Sequence, residues 1–284
     1  MTPGLLSSLT AHKHKNITGV RTTTAHYAHP CSCRYYRNVT ANTANLINAM
    51  DGAGIQNLIF SSTCATYGNA EKMPITEQTP QIPVSPYGSS KLMTERIILD
   101  HVKARTHFSA VILRYFNVIG ADPDGRIGES PPPNLDSRYS RISQACFDVA
   151  LGKRKHFTIA GTTHKTKDGT CVRDYVHVLD LVDAHVKAFA AFKPGQSTTL
   201  NIGTGTGYSV REFASACRAA TGKNISVVEG LGRDGDAAAV NADPSKAIKV
   251  LGWRPKHTVL KDTLEVAWRW ALKQHNSTLV EKML

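Results

Sequence analysis

Two short apolar runs, separated by a long helical segment, constrain the fold of this chain more than any other feature of its sequence. The runs Ile55–Phe60 and Ala110–Phe116 have the length and composition of buried strands. Between them, Ser85 and Pro86 are residue types that cap and begin a helix, which we predict to continue past Leu99. Strands that alternate with helices pair in parallel. The sequence therefore predicts a doubly wound α/β sheet with ligands at the carboxyl ends of its strands.

Further elements extend this pattern on both sides. A helical stripe of apolar residues, formed by Val39, Leu46, Ile47 and Met50, precedes the first strand. A loop rich in glycine and proline, Ala121–Asp136, follows the second strand and leads into a region of mixed elements. In that region we predict helices at about 141–151 and 179–192, a strand at 198–202, helices that begin at Ser209 and at Asp243, and a last helix from about 260 to 272.

The composition argues against several classes of protein. The 284 residues are 41% hydrophobic and 20% charged, as in ordinary globular proteins, and no apolar stretch reaches the roughly 18 residues of a membrane span. The net charge of +12 is spread along the chain without interleaved aromatic residues, so it predicts no nucleic-acid partner. The six cysteines lack CxxC spacing, which predicts free thiols in a reducing, cytoplasmic location and no metal site.

A tyrosine and a lysine near the start of the predicted helix are the strongest candidates for catalysis. Tyr87 and Lys91 are four residues apart and therefore share a helix face, and Thr63 follows the first strand. A phenol with a pKa near 10 is a poor base at neutral pH, but a nearby ammonium stabilises the phenolate. Lowering that pKa by roughly three units requires about 4 kcal/mol, which Lys91 and a positive nicotinamide ring could share. A tyrosine and a lysine at this spacing are common on surface helices, so the pair has meaning only together with Thr63.

Five motifs together resemble the UDP-glucose/UDP-galactose 4-epimerase family from about Arg34 to Trp270. They are SSTCATYG from Ser61, YGSSK from Tyr87, RYFNVIGADPDG from Arg114, DGTCVRDYVHVLDLVDAH from Asp168 and NIGTGTGYSV from Asn201. The segments Arg126–Glu129 and Arg141–Phe147 look closer to the UDP-arabinose 4-epimerase branch, which interconverts UDP-xylose and UDP-arabinose.

The resemblance implies a mechanism and a set of residues. Tyr87 would remove the proton of the sugar 4-hydroxyl, Thr63 would hydrogen-bond that hydroxyl, and NAD would oxidise C4 and then reduce the 4-keto sugar from its other face. Contacts with NAD would come from Asn38, Thr63, Tyr87, Lys91 and Phe116. The UDP-sugar would be bound by Thr63, Tyr87, Asn117, Arg173, Arg233 and Asp236. For Arg173 the alternative is a buried structural pair with Asp174, although a guanidinium suits forked contacts with a diphosphate.

Two positions depart from the family pattern, and a third, Val240, is not decisive. Ala160 stands where hexose epimerases carry a phenylalanine that stacks on uracil, and the usual Asn-Asn-Leu segment is replaced near Arg141. Val240 stands at the position that often gates bulky N-acetyl sugars. The resemblance therefore leaves the preference between pentose and hexose open.

The Gly-rich turn that binds the NAD pyrophosphate in this family has no counterpart before Asn38. Gly203-x-Gly205-x-Gly207 has a similar spacing, but we assign it to a structural turn before the helix at Ser209. We expect a partial Rossmann-type sheet of the extended short-chain dehydrogenase/reductase kind with a smaller mixed α/β substrate domain. Residues 1–33 would form a leader, 34–120 the C-terminal part of the NAD-binding domain, and 121–284 mainly the UDP-sugar-binding domain, with some elements returning to the first.

Two other functions remain open from the sequence. Without the Gly-rich turn the chain could be an inactive, non-catalytic remnant that binds nucleotide sugars. It could also be a related dehydratase or decarboxylase, although dehydratases place an acidic residue after the threonine of the hydroxyl motif, where this chain has Cys64. A complete enzyme would form a homodimer, and an N-terminal anchor, if one exists in the full-length protein, would place it in the Golgi.

Overall fold

The computed structural model describes residues 33–130, 140–232 and 236–283, with side chains up to residue 277. These residues form two compact units that are assembled from alternating parts of the chain. The first unit contains the described residues up to 116 together with 183–202 and 242–254. The second contains the described residues within 117–182, 203–241 and 255–283. Except for Cys33, the predicted leader lies outside the described residues.

A three-stranded parallel sheet forms the centre of the first unit. Its strands are β1 (Asn57–Thr63), β2 (Ser109–Tyr115) and β6 (Ser197–Ile202), in the order β1-β2-β6. Its helical segments are α1 (Cys33–Tyr35), a π-helical stretch (Tyr36–Ala41), α2 (Asn42–Gly52), a 3-10 turn (Cys64–Thr66), α3 (Pro86–Ala104), a 3-10 turn (Phe189–Ala191) and α7 (Ser245–Leu251). Helix α5 (Val178–Ala188) contains the boundary between the units. The parallel α/β architecture predicted from the sequence is confirmed.

The apolar stripes of α2 and α3 pack against this sheet. Ile47 and Met50 of α2 and Ile98 of α3 belong to one buried cluster with Leu58 and Phe60 of β1. The cluster is possible because apolar residues recur at helical spacing in α2 and α3 and run continuously through the buried strands. The predicted strand Ile55–Phe60 is displaced in the structure and ends at Thr63, so the hydroxyl motif itself forms the carboxyl end of β1.

The second unit contains short strands and three long helices. In one sheet, β5 (Val172–His177) pairs with β3 (Asn117–Ile119) and β9 (Ala239–Val240) in parallel and with β7 (Gly207–Ser209) antiparallel. Strands β4 (Phe157–Ala160) and β8 (Val227–Gly230) form a separate parallel pair. The helices are α4 (Ile142–Ala150), α6 (Val210–Thr221) and α8 (Leu260–Met283). Aromatic contacts join their core, with Tyr175 and Phe213 at 4.7 Å and Phe147 and Trp268 at 5.4 Å between ring centroids.

Two details concern the ends of helices in this unit. Helix α8 continues to Met283 instead of ending near Leu272, because neither glycine nor proline interrupts the residues in between. Helix α6 begins as predicted: the Ser209 side chain accepts from the Glu212 N–H and the Glu212 carboxylate accepts from the Ser209 N–H. Among the described helices, none is both long and apolar enough to cross a membrane.

Candidate functional site

The carboxyl end of β1 and the first turns of α3 bring the predicted catalytic residues together. The Ser85 side chain accepts a hydrogen bond from the Gly88 N–H at 3.1 Å, and Pro86 occupies the first turn of α3. This start places Tyr87 and Lys91 on the buried face of α3, where they are 5% and 0% exposed. Both side chains therefore lie in the interior of the first unit.

A glycine allows the helix to approach the strand end. A Cβ atom at Gly88 would lie 2.5 Å from the carbonyl oxygen of Ala65, which is closer than any side chain tolerates. Ala65 belongs to the 3-10 turn that Thr63 caps, with the Thr63 Oγ1 accepting from the Ala65 N–H at 3.2 Å. The close approach leaves Tyr87 within hydrogen-bonding reach of the Thr63 side chain.

The Lys91 ammonium is held against β1. Its Nζ donates to the carbonyl oxygen of Ser61 at 2.7 Å and lies 4.9 Å from the centroid of the Phe60 ring. Burial lowers the pKa of Lys91 to about 8, and the carboxylate of Glu95 acts against this shift. Lys91 is therefore mainly protonated at neutral pH.

The phenol of Tyr87 differs from the sequence prediction. Burial, followed by the charge of Tyr115, raises the pKa of Tyr87, whereas the hydrogen bond with Thr63 acts in the opposite direction. The Lys91 Nζ is 6.0 Å from the Tyr87 ring centroid, and Tyr35 contacts the same ring edge-to-face at 5.8 Å. In the chain alone the pKa of Tyr87 is thus raised, because desolvation of the phenolate has the largest effect, whereas the predicted lowering depends on Lys91 together with a nicotinamide ring.

The predicted sugar-nucleotide residues of the second unit include an ion pair. Arg173 is 14% exposed in its side chain and pairs with Asp236, while its Nη1 donates to the carbonyl oxygens of Val172 and Ala237 at 2.8 Å. Asn117 is exposed at the start of β3. Arg233 lies outside the described residues. Two of the four predicted residues therefore already contact each other, with the guanidinium fixed by two carbonyls.

The remaining predicted NAD contacts lie in the first unit. Asn38 is half-buried in the π-helical stretch, and Phe116 is 3% exposed directly after β2. The location of these two side chains does not test whether they contact NAD, so both assignments stay predictions.

The loop Gly203–Gly207 encloses a carboxylate of the protein itself. Asp174 is fully buried and accepts from the N–H groups of Thr204 and Gly205 at 2.8 and 2.9 Å and from the Thr204 hydroxyl at 2.7 Å. Amides that cradle a phosphate in other Gly-rich loops are thus used by Asp174 here. The assignment of this loop to a structural turn is confirmed. Asp174 follows Arg173 in β5, and its carboxylate accepts these hydrogen bonds from the loop, whereas Arg173 pairs with Asp236.

A buried polar network beside Lys91 was not predicted. Glu95 forms a forked ion pair with Arg114, whose Nη1 donates to the Tyr67 hydroxyl at 2.9 Å. Tyr67 in turn donates to Asn201 at 2.7 Å. The one available signal in the sequence was that Glu95 lies four residues after Lys91 and so shares its helix face.

Comparisons with known proteins agree with these features. Residues 24–203 match the model of the NAD dependent epimerase/dehydratase family. UDP-arabinose 4-epimerase 1 of Arabidopsis thaliana is 53% identical over 243 residues, which are 86% of this chain and 58% of that protein. The UDP-glucose 4-epimerase of Rhizobium leguminosarum bv. trifolii is 42% identical over 243 residues, 85% of this chain and 72% of the relative.

Solved structures show the same fold. The UDP-glucose-4-epimerase of Stenotrophomonas maltophila, with bound NAD and formylated UDP-arabinopyranose, superposes with a TM-score of 0.82 at 34% identity, covering 87% of this chain and 73% of that one. The enzyme of Bifidobacterium longum, in complex with NAD+ and UDP, gives a TM-score of 0.80 at 37% identity, with 87% and 72% covered. This chain spans between 54% and 58% of the length of the UDP-arabinose 4-epimerases that it matches. By its sequence, its parallel sheet and its Thr63, Tyr87 and Lys91 cluster, the chain belongs to the NAD dependent epimerase/dehydratase family.

Proposed function

We propose that this chain functions in NAD-dependent 4-epimerisation of a UDP-sugar, with UDP-xylose and UDP-arabinose as the preferred pair. The observation that carries this proposal is the meeting of Thr63, Tyr87 and Lys91 at the carboxyl end of β1. The preference for pentoses is supported by the higher identity to UDP-arabinose 4-epimerases, 53% against 42% for a UDP-glucose 4-epimerase.

The residues at this edge fit the nicotinamide end of NAD. A phenol, an ammonium and a hydroxyl converge where parallel α/β sheets bind their ligands. Lys91 and Tyr87 would hold this end, with Asn38 and Phe116 as further contacts. When bound, NAD supplies the oxidation of the sugar C4 and its subsequent reduction.

The protein residues move one proton and orient the sugar. Tyr87 removes the proton of the 4-hydroxyl and returns it after the 4-keto sugar has presented its other face. Thr63 hydrogen-bonds the same oxygen, and Lys91 stabilises the charge on Tyr87. Arg173 offers a forked cation for the diphosphate, with Asn117, Arg233 and Asp236 as further contacts to the UDP-sugar.

Purified protein supplied with NAD+ tests this proposal. UDP-xylose, UDP-arabinose, UDP-glucose and UDP-galactose are incubated separately, and the C4 epimer is followed by proton NMR. We expect inversion of the pentoses and at least a 100-fold loss of rate in Tyr87→Phe, as is common when an essential proton-transfer group is removed. Inversion that survives in Tyr87→Phe contradicts the proposed role.

The alternative of a non-catalytic binding module predicts a different result. In calorimetric titrations, UDP would then bind to the protein while NAD+ would not, and no sugar would be inverted. Arg173→Met serves as the control for specific UDP binding in both cases. A dehydratase is not favoured, because Cys64 and Ala65 follow Thr63 in the 3-10 turn and neither is acidic. The homodimer, the inactivity of the chain alone, and the cytoplasmic or Golgi location remain predictions.

A further inference from the structure

A buried carboxylate lies one helical turn beyond the buried ammonium on α3. Lys91 and Glu95 are four residues apart on the same face and are 0% and 1% exposed. A buried ammonium without a nearby anion loses its proton readily, since desolvation penalises the charged form. Glu95 is therefore placed to stabilise the charged form of Lys91 against the effect of burial.

Both side chains are fixed to neighbouring residues of β1. Lys91 Nζ donates to the carbonyl oxygen of Ser61, and the Ser62 hydroxyl donates to Glu95 Oε1. Gln81 Nε2 donates to the other carboxylate oxygen, Oε2, at 3.0 Å. The carboxylate thus ties α3 to the same strand end that receives the ammonium.

Arg114 fixes the orientation of Glu95. Its Nε donates to Oε1 at 3.0 Å and its Nη2 to Oε2 at 2.6 Å, and both side chains are buried. The Nη1 group continues through the Tyr67 hydroxyl to Asn201 of β6. The carboxylate therefore belongs to a network that joins α3 to all three strands of the sheet, and forked pairs of this kind are geometrically strict.

Charged groups of both signs surround this network. Two buried cations, Lys91 and Arg114, share one buried anion, Glu95. Within the part of the chain that the structure describes, the other titratable groups that face this cluster are Tyr35, Cys64, Tyr67, Glu77, Tyr87, Tyr115 and, through the Ser61 hydroxyl, His185. A charged Lys91, 6.0 Å from the centroid of the Tyr87 ring, acts against the burial that disfavours the phenolate of the proposed reaction.

We propose that Glu95 is a positioning residue, whose carboxylate, locked by Arg114 and Ser62, keeps Lys91 charged and directed at the carboxyl end of β1. Its importance for catalysis rests on the proposed function, whereas its effect on the charge of Lys91 does not. Burial lowers the pKa of Lys91 to about 8 and Glu95 counters that effect, which is consistent with the geometry.

The charge of Lys91 can be measured without any enzyme assay. Protein labelled with 13C at the lysine ε-carbon is titrated by NMR, and the Lys91 signal is identified by its loss in Lys91→Met. In Glu95→Gln we expect the Lys91 midpoint to fall by about one pH unit or more. Asp100→Asn removes an exposed carboxylate from the same helix and should leave that midpoint unchanged.

An unchanged Lys91 midpoint in folded Glu95→Gln overturns the proposal. A midpoint below about pH 7 in the unmodified protein does so as well, and that measurement does not require the variant to fold. Where inversion of a UDP-sugar is observed, the alkaline limb of the kcat profile should move to lower pH in Glu95→Gln, with KM changed less than about threefold. If the unmodified protein inverts no sugar, the proposed function fails while the NMR titration still decides the role of Glu95.

Discussion

Gly88 controls how closely the first turn of α3 approaches the end of β1. A methyl group there would meet the carbonyl oxygen of Ala65 at 2.5 Å and the Cβ of Pro83 at 3.0 Å. We expect Gly88→Ala to lower the free energy of unfolding by about 1–3 kcal/mol, because this overlap outweighs the gain in helix propensity. Urea unfolding measures the change. Gly52→Ala is the matched helical control, since nothing lies within 4 Å of the position that its methyl group would take, and a loss of equal size there would contradict the explanation.

At the level of single residues, the sequence predicts which side chains near each other in the chain share a helix face better than it predicts the burial and the distant partners of those side chains. Tyr87 and Lys91 share a helix face because four residues make about one turn, so their proximity follows from spacing alone. The pair between Glu95 and Arg114 joins residues of different elements, and no local pattern predicts it. The raised pKa of Tyr87 is likewise unpredictable from spacing, because it depends on burial that the whole first unit provides.

Among the secondary-structure elements, a carboxylate on β5 fixes the loop between β6 and β7. Asp174 uses both oxygens, Oδ1 for the N–H and hydroxyl of Thr204 and Oδ2 for the N–H of Gly205. In Asp174→Asn an amide nitrogen replaces one acceptor and leaves a buried N–H unsatisfied, so we expect a loss of about 1–3 kcal/mol in urea unfolding. Thr204→Val removes the hydroxyl that donates to Asp174 and accepts from the exposed Thr206 N–H, but it keeps the Thr204 N–H, so it should cost less. An equal or larger loss in Thr204→Val would contradict the role given to Asp174.

The predictability of each element depends on the strength of its local signal. Helices α3 and α6 begin as predicted because Ser85 and Ser209 are strong N-caps. The strands β3, β7 and β9 have only two or three residues, too few for an alternating pattern to be recognised. They exist because β5 offers them partners, which is a tertiary effect.

For the whole molecule, the alternation of strands and helices predicts a folded α/β protein but not how the chain is divided. The two units take alternating stretches of sequence, with 183–202 and 242–254 returning to the first unit. Only the family resemblance provides a reason to expect such a return. The contacts that join these stretches link residues far apart in the sequence, such as Ala110 with Ser197 in the pairing of β2 with β6, and Tyr67 with Asn201.

A buried histidine in the second unit makes the stability of the molecule depend on pH. His177 is 1% exposed, stacks on His257 at 4.4 Å, and accepts from the Leu179 N–H through Nδ1. Its Nε2 has no hydrogen-bond partner among the described residues, and its ring packs where a Cβ of Gly120 would lie. Burial, followed by the charge of His257, lowers the pKa of His177 to about 4, although Asp180 acts in the opposite direction.

The sign of the pH effect follows from that lowered pKa. Above the ordinary histidine pKa of 6.5 both the folded and the unfolded chain hold His177 neutral, so its contribution to stability is constant there. Between pH 6.5 and about pH 4, His177 binds a proton in the unfolded chain but not in the folded chain. The free energy of unfolding therefore decreases as the pH decreases, by at most about 1.4 kcal/mol per pH unit from this group.

Urea unfolding between pH 7 and about pH 4.5 isolates this contribution by difference. His177→Asn keeps a short acceptor for the Leu179 N–H but cannot take up a proton, so its stability should fall less steeply with acid than that of the unmodified protein. His156→Asn, at an exposed position, is the matched control and should retain the original slope. If His177→Asn and the unmodified protein lose stability equally as the pH decreases, the acid sensitivity originates in other groups. The reason is that a proton that binds at His177 only in the unfolded state contributes to the slope of stability against pH, and this contribution is lost when the histidine is replaced.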